Sequence, residues 1–368
     1  MKSPARPLRA RIHLDAVLHN YRYAKRLAPS ARALAVVKAN GYGHGAISLA
    51  RALASEADGF AVACIDEAME LRESGIRNPI LLLEGVFAPD EIALADRAGL
   101  AMVVHSRQQL EWVLAARPSR PLECWIKLDS GMHRVGLAPG EFAGAHAALA
   151  DCPHVGNLVA MSHFARADEP EHPYTERQIA VFGQALGGLR IPRSLANSAA
   201  ILAWPQAHGE WTRPGLMLYG ISPLPDGHPL ATPLQPAMTL ESAILSIRDL
   251  EAGEPVGYGG RFVCDRPTRV GVAAVGYADG YPRHARDGTP VAVKGRRTRI
   301  IGRVSMDMIT LDLTGMADAR IGDPVELWGT TIPANEVAQA SDTIAYQLFT
   351  GIGRRVPLIH EGLQTQWK

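Results

Sequence analysis

Cysteine is scarce: four in 368 residues, Cys64, Cys124, Cys152 and Cys264, with no CxxC pair among them. That spacing suggests neither a disulfide framework nor a zinc site; reduced buried thiols, as in a cytoplasmic protein, are expected. Cys64 and Cys124 fall in strand-like runs and read as small buried hydrophobes. Net charge is also nearly absent, 38 Lys+Arg against 37 Asp+Glu, so the overall balance directs the chain to neither nucleic acid nor an anionic membrane. The densest basic stretch, VKGRRTRIIGR at 293–303, alternates with apolar residues and reads as the solvated face of a strand. No apolar run approaches the ~20 residues needed to cross a bilayer. The opening MKSPARPLRARIHLDAV has arginines but no apolar stretch of its own, so no secretory signal is expected. Asp168, Glu169, Glu171 and His172 cluster in ADEPEHP, but the prolines mark a solvated loop, and no metal is expected.

What is present is a globular composition, 47% hydrophobic and 20% charged. From residue 33 short β-branched runs alternate with alanine-rich amphipathic stretches, the rhythm of βα units. The strand-like runs are 33–39, 59–64, 79–85, 100–105, 123–129, 157–165, 193–198 and 215–220. Eight of them predict a closed (β/α)8 barrel. An open, doubly wound sheet is the alternative. PLPDGHPLATPLQP then reads as a linker, and the remainder is β-rich with turn signals, as in an antiparallel domain. The expected division is a barrel over 1–230 and a mostly antiparallel β domain over 231–368. Residues 8–14 alternate and are expected to pair with the C-terminal sheet.

In such a barrel the chemistry sits at the C-terminal ends of the strands. Lys38 ends the first run, in AVVKANGYGHG; Lys127, Asp129 and Arg134 end the fifth. His163 ends the sixth, Asn197 and Ser198 the seventh, and Arg213 precedes the eighth. One rim would thus collect two lysines, two arginines, a histidine and a serine. That content suits an anionic ligand, with the backbone of RPGL (213–216), Ser198 and Tyr42 placed to hold phosphate oxygens. GYGHG lacks the spacing of a dinucleotide fingerprint. A phosphate site beside a desolvated lysine points to a Schiff base with pyridoxal phosphate.

AVVKANGYGHG resembles the pyridoxal-phosphate lysine motif of alanine racemases. The resemblance continues through IKLDSGMHRVG (126–136), MSHFARADE (161–169), LANSAA (195–200) and RPGLMLYG (213–220). It extends to PVGYGGRF (255–262), VGYADGYPR (275–283) and GRVSMDM (302–308), in order over essentially the whole chain.

The resemblance implies a pyridoxal-phosphate-dependent isomerase that interconverts L- and D-alanine, supplying peptidoglycan synthesis or serving alanine catabolism. It implies a homodimer with shared active sites. Lys38 would form the internal aldimine and serve as one base, and Tyr258 of the other subunit as the second. Arg213 would bond the pyridine nitrogen, with His163 linking it towards Tyr258. Arg134 would contact the phenolic oxygen and the substrate carboxylate. Tyr42, Asn197, Ser198 and the backbone at Gly215 and Leu216 would hold the cofactor, chiefly its phosphate. Tyr277, Met306 and Asp307 would line the substrate side. Lys127 resembles a lysine carried as a carbamate beside Arg134; an unmodified lysine paired with Asp129 is the alternative.

The chemistry accounts for the pair of bases. Racemisation passes through a planar carbanion, so one base on each face lets a proton leave one side and return to the other. Tyrosine, with an ordinary pKa near ~10, needs a cationic neighbourhood to serve as a base near neutrality. In one respect the chain departs from its relatives: some place a phosphate-binding tyrosine just before RVP, where this sequence has Arg354. A broader amino-acid racemase, a single-barrel cofactor carrier and a decarboxylase are the rival readings. The long β domain argues against the carrier, and the C-terminal motif lacks the cysteine expected of the decarboxylase.

Overall fold

The structure, a computed structural model, describes residues 6–225 and 227–362. The chain folds as two compact units. One takes the described residues of Met1–Ala16, Tyr42–Gly45 and Pro236–Lys368; the other takes Val17–Gly41 and Ala46–Gln235.

Strands are numbered along the chain. β1 is Arg9–His13; β2 to β5 are Arg32–Val36, Gly59–Val62, Ile80–Leu82 and Leu100–Val104; β6 to β9 are Leu122–Lys127, Val155–Met161, Arg193–Ser194 and Trp211–Thr212. β2 to β9 form a parallel sheet in the order β8-β7-β6-β5-β4-β3-β2-β9. Backbone bonds from Glu210 N to Arg193 O and from Arg213 N to Ala196 O bring its ends together, and the barrel is nearly closed. Its strands are short, and the central ones are apolar because both faces are covered: Phe60, Ala61, Val62, Met102, Val103 and Val104 are all buried. The intervening helices start and stop on local signals. Ser106 caps Arg107–Ala115 by accepting from Gln109 N, and left-handed Gly99 and Gly187 end the helices Glu91–Ala98 and Tyr174–Leu186.

The eighth strand is a correction. The run 215–220 is not a strand: Leu216–Tyr219 is a 3-10 turn between Gly215 and Gly220. Its four side chains are all buried, so the run is apolar for reasons of packing, and a short apolar run carries no period that separates a strand from a turn. The true eighth strand is two-residue β9, too short to show a pattern. Arg213 therefore follows the last strand instead of preceding it. Cys64 also differs from expectation, lying half-buried at the N-cap of the helix Ile65–Glu73.

In the other unit β10 (Met238–Leu250) is the longest strand. It is followed by β11 (Pro255–Val256), β12 (Phe262–Val263), β13 (Thr268–Ala273), β14 (Pro290–Val293) and β15 (Arg296–Arg299). β16 (Ile309–Asp312), β17 (Pro324–Trp328) and β18 (Leu358–Glu361) complete the set. The sheet order is β15-β14-β17-β10-β1-β18, with β13 on β10 and β16 on β13. All these pairings are antiparallel except β1 with β18. The basic stretch forms the β14–β15 hairpin, where Arg296, Arg297 and Arg299 pair with Asp318, Glu336 and Asp312. Among the described residues no helix is long and apolar enough to cross a membrane.

Candidate active site

β2 ends at Val36, and the chain turns sharply after Val37. Ala39, Asn40, Gly41 and Tyr42 all have positive φ, near 50–62°, so Lys38 opens a left-handed turn. Such a conformation costs about 1–2 kcal/mol per non-glycine residue and persists only where the surroundings enforce it. Here they do: Ala39 N donates to Glu67, Gly41 N to Val37 O, and Asn40 Oδ1 accepts from Ala46 N. The strand-like run thus ends before its lysine, and Lys38 stands half-buried at the barrel rim.

The same rim gathers the other cations. Arg213, 3% exposed, is held by three backbone carbonyls and two side chains. Its Nη1 donates to Ser194 O and Oγ (2.7 and 2.6 Å), and its Nη2 to Ser162 O (2.7 Å), Leu195 O (3.1 Å) and His163 Nδ1 (3.3 Å). Its Nε–H makes no hydrogen bond among the described residues. Burial lowers the guanidinium pKa to about 10, which leaves it charged at neutral pH. Because arginine only donates, His163 Nδ1 must be the bare nitrogen, and the proton sits on Nε2. Burial, then Arg213, Lys127, Arg134 and Lys38, hold His163 far below the ordinary histidine range, so it is neutral. Gln178 fixes the His163 loop, donating to His163 O and accepting from Ala165 N.

Lys127 ends β6 and is buried. Desolvation first, then Arg213, Arg134 and Lys38, lower its pKa to about 8. It has no hydrogen-bond or ion-pair partner among the described residues. In particular it does not pair with Asp129. That carboxylate closes its own loop, taking the N–H groups of Gly131 and His133 and the His133 ring. The loop presents Arg134 to solvent. Asn197 caps the short helix Ser198–Ala203 by accepting from Ala200 N. Ser198 Oγ accepts from Gly215 N (2.9 Å) and Met217 N (3.2 Å), leaving Leu216 N without a hydrogen bond among the described residues.

The other unit supplies its own cluster. Tyr42 lies 5.6 Å from Tyr346, ring centre to ring centre, and burial raises its phenol pKa. Gly43, at φ 78°, admits no side chain: a Cβ would lie 2.1 Å from Phe349 O. Tyr346 is the residue that sequence reasoning missed. The only signal was a tyrosine within the helix-like TIAYQLF, eight residues before Arg354. Arg354 itself is exposed and without a hydrogen bond among the described residues.

Tyr258 occupies the tip of the β11–β12 hairpin and is 71% exposed. Gly257, Gly259 and Gly260 around it all have positive φ, which only glycine adopts cheaply. The hairpin is anchored by Val256 and Phe262 on Cys264, Val270 and Ile301. Tyr277 begins a second turn, clamped to the stretch GRVSMDM (302–308) by Tyr277 N on Ser305 O and Ala278 N on Met306 O. The amide groups of Met306 and Asp307, within that stretch, make no hydrogen bond among the described residues. A Cβ on Gly276 would lie 2.3 Å from Met306 O, backbone against backbone. Gly276→Ala is therefore expected to cost about 1–3 kcal/mol in a denaturation experiment, through overpacking that pushes these two loops apart.

These features define a class: a parallel-barrel enzyme with a lysine-centred cationic rim whose Lys38, Lys127, Arg134 and Arg213 have no ion-pair partner among the described residues, followed by a β domain. Comparison with known proteins narrows it. Residues 12–223 match the family model "Alanine racemase, N-terminal domain" and residues 237–360 "Alanine racemase, C-terminal domain". The alanine racemase of Pseudomonas fluorescens is 55% identical, covering 96% of this chain and 99% of its own length. The catabolic alanine racemase of Pseudomonas aeruginosa is 54% identical over 97% and 99%. The crystal structure of the biosynthetic alanine racemase from Pseudomonas aeruginosa superposes with a TM-score of 0.94 at 50% identity, covering 97% of this chain and all of that one. The chain belongs to the alanine racemase family and is an isomerase.

Proposed function

We propose that the protein interconverts L- and D-alanine with pyridoxal phosphate, Lys38 and Tyr258 acting as bases on opposite faces of the substrate. The observation that carries this is the cation cluster of Lys38, Lys127, Arg134 and Arg213 around a neutral His163, with no acidic ion-pair partner for any of the four cations among the described residues. Such a cluster costs stability until an anion joins it. The donors present fit a phosphorylated pyridine. Arg213 has an unused Nε–H for a ring acceptor, and Leu216 N, Ser198 and Tyr42, with Tyr346 beside it, are the right kind of donors for phosphate oxygens. Asn197 holds the helix that carries Ser198. When bound, the cofactor supplies an electron-accepting ring that makes the Cα proton of alanine removable.

The chain's own groups do the rest. Lys38 anchors the cofactor and moves a proton at Nζ on one face. Tyr258 moves the other at Oη, and the Nε2–H of His163 is available to steady the phenolate. Arg134 and the free amides of Met306 and Asp307 receive the substrate carboxylate, with Tyr277 alongside. Lys127, with a sizeable neutral fraction near pH 8, takes up carbon dioxide as a carbamate, and the resulting anion pairs with Arg134. The working form is a homodimer, in which Tyr258, Tyr277, Met306 and Asp307 come from the second copy. Exposure of Tyr258, Val263, Met306 and Met308, large apolar groups at 71, 52, 53 and 45%, supports this.

The test is incubation with L-alanine and pyridoxal phosphate in deuterium oxide, following Cα deuteration and optical rotation together. Deuteration with rotation decaying to zero is expected. Deuteration with rotation retained would remove Tyr258 from its role. No exchange at all would remove alanine as the substrate.

A further inference from the structure

The substrate side of the proposed site carries an acid, Asp307, where a substrate carboxylate is to be received. A free carboxylate there would repel it. The structure disposes of that charge in a specific way. Arg355 Nη2 donates to Asp307 Oδ1 (2.5 Å), and Nε of the same guanidinium donates to Asp279 Oδ1 (2.6 Å). Asp279 has a side chain only 1% exposed. Its Oδ1 also receives Arg6 Nη1 (2.5 Å), and Arg6 Nη2 reaches the main-chain carbonyl of Asp307 (2.7 Å). The second oxygen of Asp279 accepts Gly276 N–H (2.8 Å), which locks the Tyr277–Asp279 turn.

One guanidinium therefore ties together the two loops that carry Tyr277 and Met306–Asp307. A bidentate arginine between two carboxylates fixes direction as well as charge, which a lysine cannot reproduce. We propose that Arg355 is a positioning residue for substrate recognition. It neutralises Asp307 and, through buried Asp279, holds the Tyr277 turn so that the loop amides stay open to the substrate carboxylate. This rests on the functional reading above.

The test uses the holoenzyme and the variants Arg355→Gln, Arg355→Lys and Arg355→Gln/Asp307→Asn. For Arg355→Gln, KM for both enantiomers is expected to rise about tenfold or more, the loss of one charge-assisted contact, while kcat changes far less. Inhibition by propionate, a carboxylate without the amine, should weaken in the same ratio. Arg355→Lys should fall between. Adding Asp307→Asn should recover much of the affinity, because the repelling charge is then gone. Bound-cofactor absorbance and melting temperature should stay near wild type.

An unchanged KM would overturn the proposal. So would a fall in kcat alone, or a KM rise without weaker propionate inhibition. Loss of cofactor, stability and activity in step, without rescue by Asp307→Asn, would reduce Arg355 to a purely structural role and overturn it equally. Should Arg355→Gln not fold, the single Arg355→Lys variant carries the same KM and propionate readout. Failure of the parent reading is distinguishable, since it appears in wild type as absent alanine racemisation, before any variant is compared.

Discussion

Tyr258→Phe is expected to lower racemisation by about 10²–10⁴, the usual contribution of a positioned base, and to do so equally in both directions. The equality follows from symmetry. The two enantiomers have the same free energy, so no variant can favour one direction in kcat/KM. The asymmetry must instead appear in isotope exchange. With Lys38 intact, one enantiomer should still exchange its Cα proton with deuterium oxide, retaining configuration, while the other exchanges hardly at all. Equal exchange from both would contradict the two-base assignment. Lys38→Ala should lose exchange from both enantiomers, together with the absorbance of lysine-bound cofactor.

Mixing these variants tests the dimer. If Tyr258 serves the partner's Lys38, a hybrid of one Lys38→Ala and one Tyr258→Phe chain contains one intact site. With random assortment half the dimers are hybrids and half their sites are whole, so about a quarter of wild-type activity should return. If both bases come from one chain, none returns.

Lys127→Met in the cofactor-free enzyme should be more stable than wild type near neutral pH. The lysine ordinarily titrates at 10.5 and here at about 8, for reasons of burial and three neighbouring cations. Between those values the unfolded chain binds the proton that the folded one has released. Wild-type stability must therefore rise with pH over that window, by about 3 kcal/mol in total, and the cost is fully present below pH 8. The methionine variant, matching the lysine stem in volume and leaving no hydrogen-bond partner stranded, should show no such slope. Urea denaturation from pH 7 to 10.5 measures the difference. Bicarbonate should raise the melting temperature of wild type and not of Lys127→Met, because only the lysine can become an anion among Arg213, Arg134 and Lys38. A wild type that matched the variant at every pH, with or without bicarbonate, would refute both statements.

The sequence by itself determined the barrel, the β-rich remainder and the residue types at the rim, because all three rest on local signals. Buried parallel strands must read as short apolar runs between amphipathic stretches. A lysine followed by a glycine-rich left-handed turn is visible at Lys38, and a tyrosine among glycines at Tyr258. The motifs then placed the family. What only the tertiary structure decided are matters with no local period. The apolar Leu216–Tyr219 is a turn because its burial comes from all sides, and the real last strand is too short to leave a pattern. Asp129 spends its carboxylate on its own loop, which leaves Lys127 without an ion-pair partner among the described residues. Tyr346 meets Tyr42 across some three hundred residues. Arg355 meets Asp279 and Asp307 across 76 and 48. Such pairs are fixed by packing and electrostatics between distant segments, and neither propensity nor spacing along the chain encodes which charge will find which.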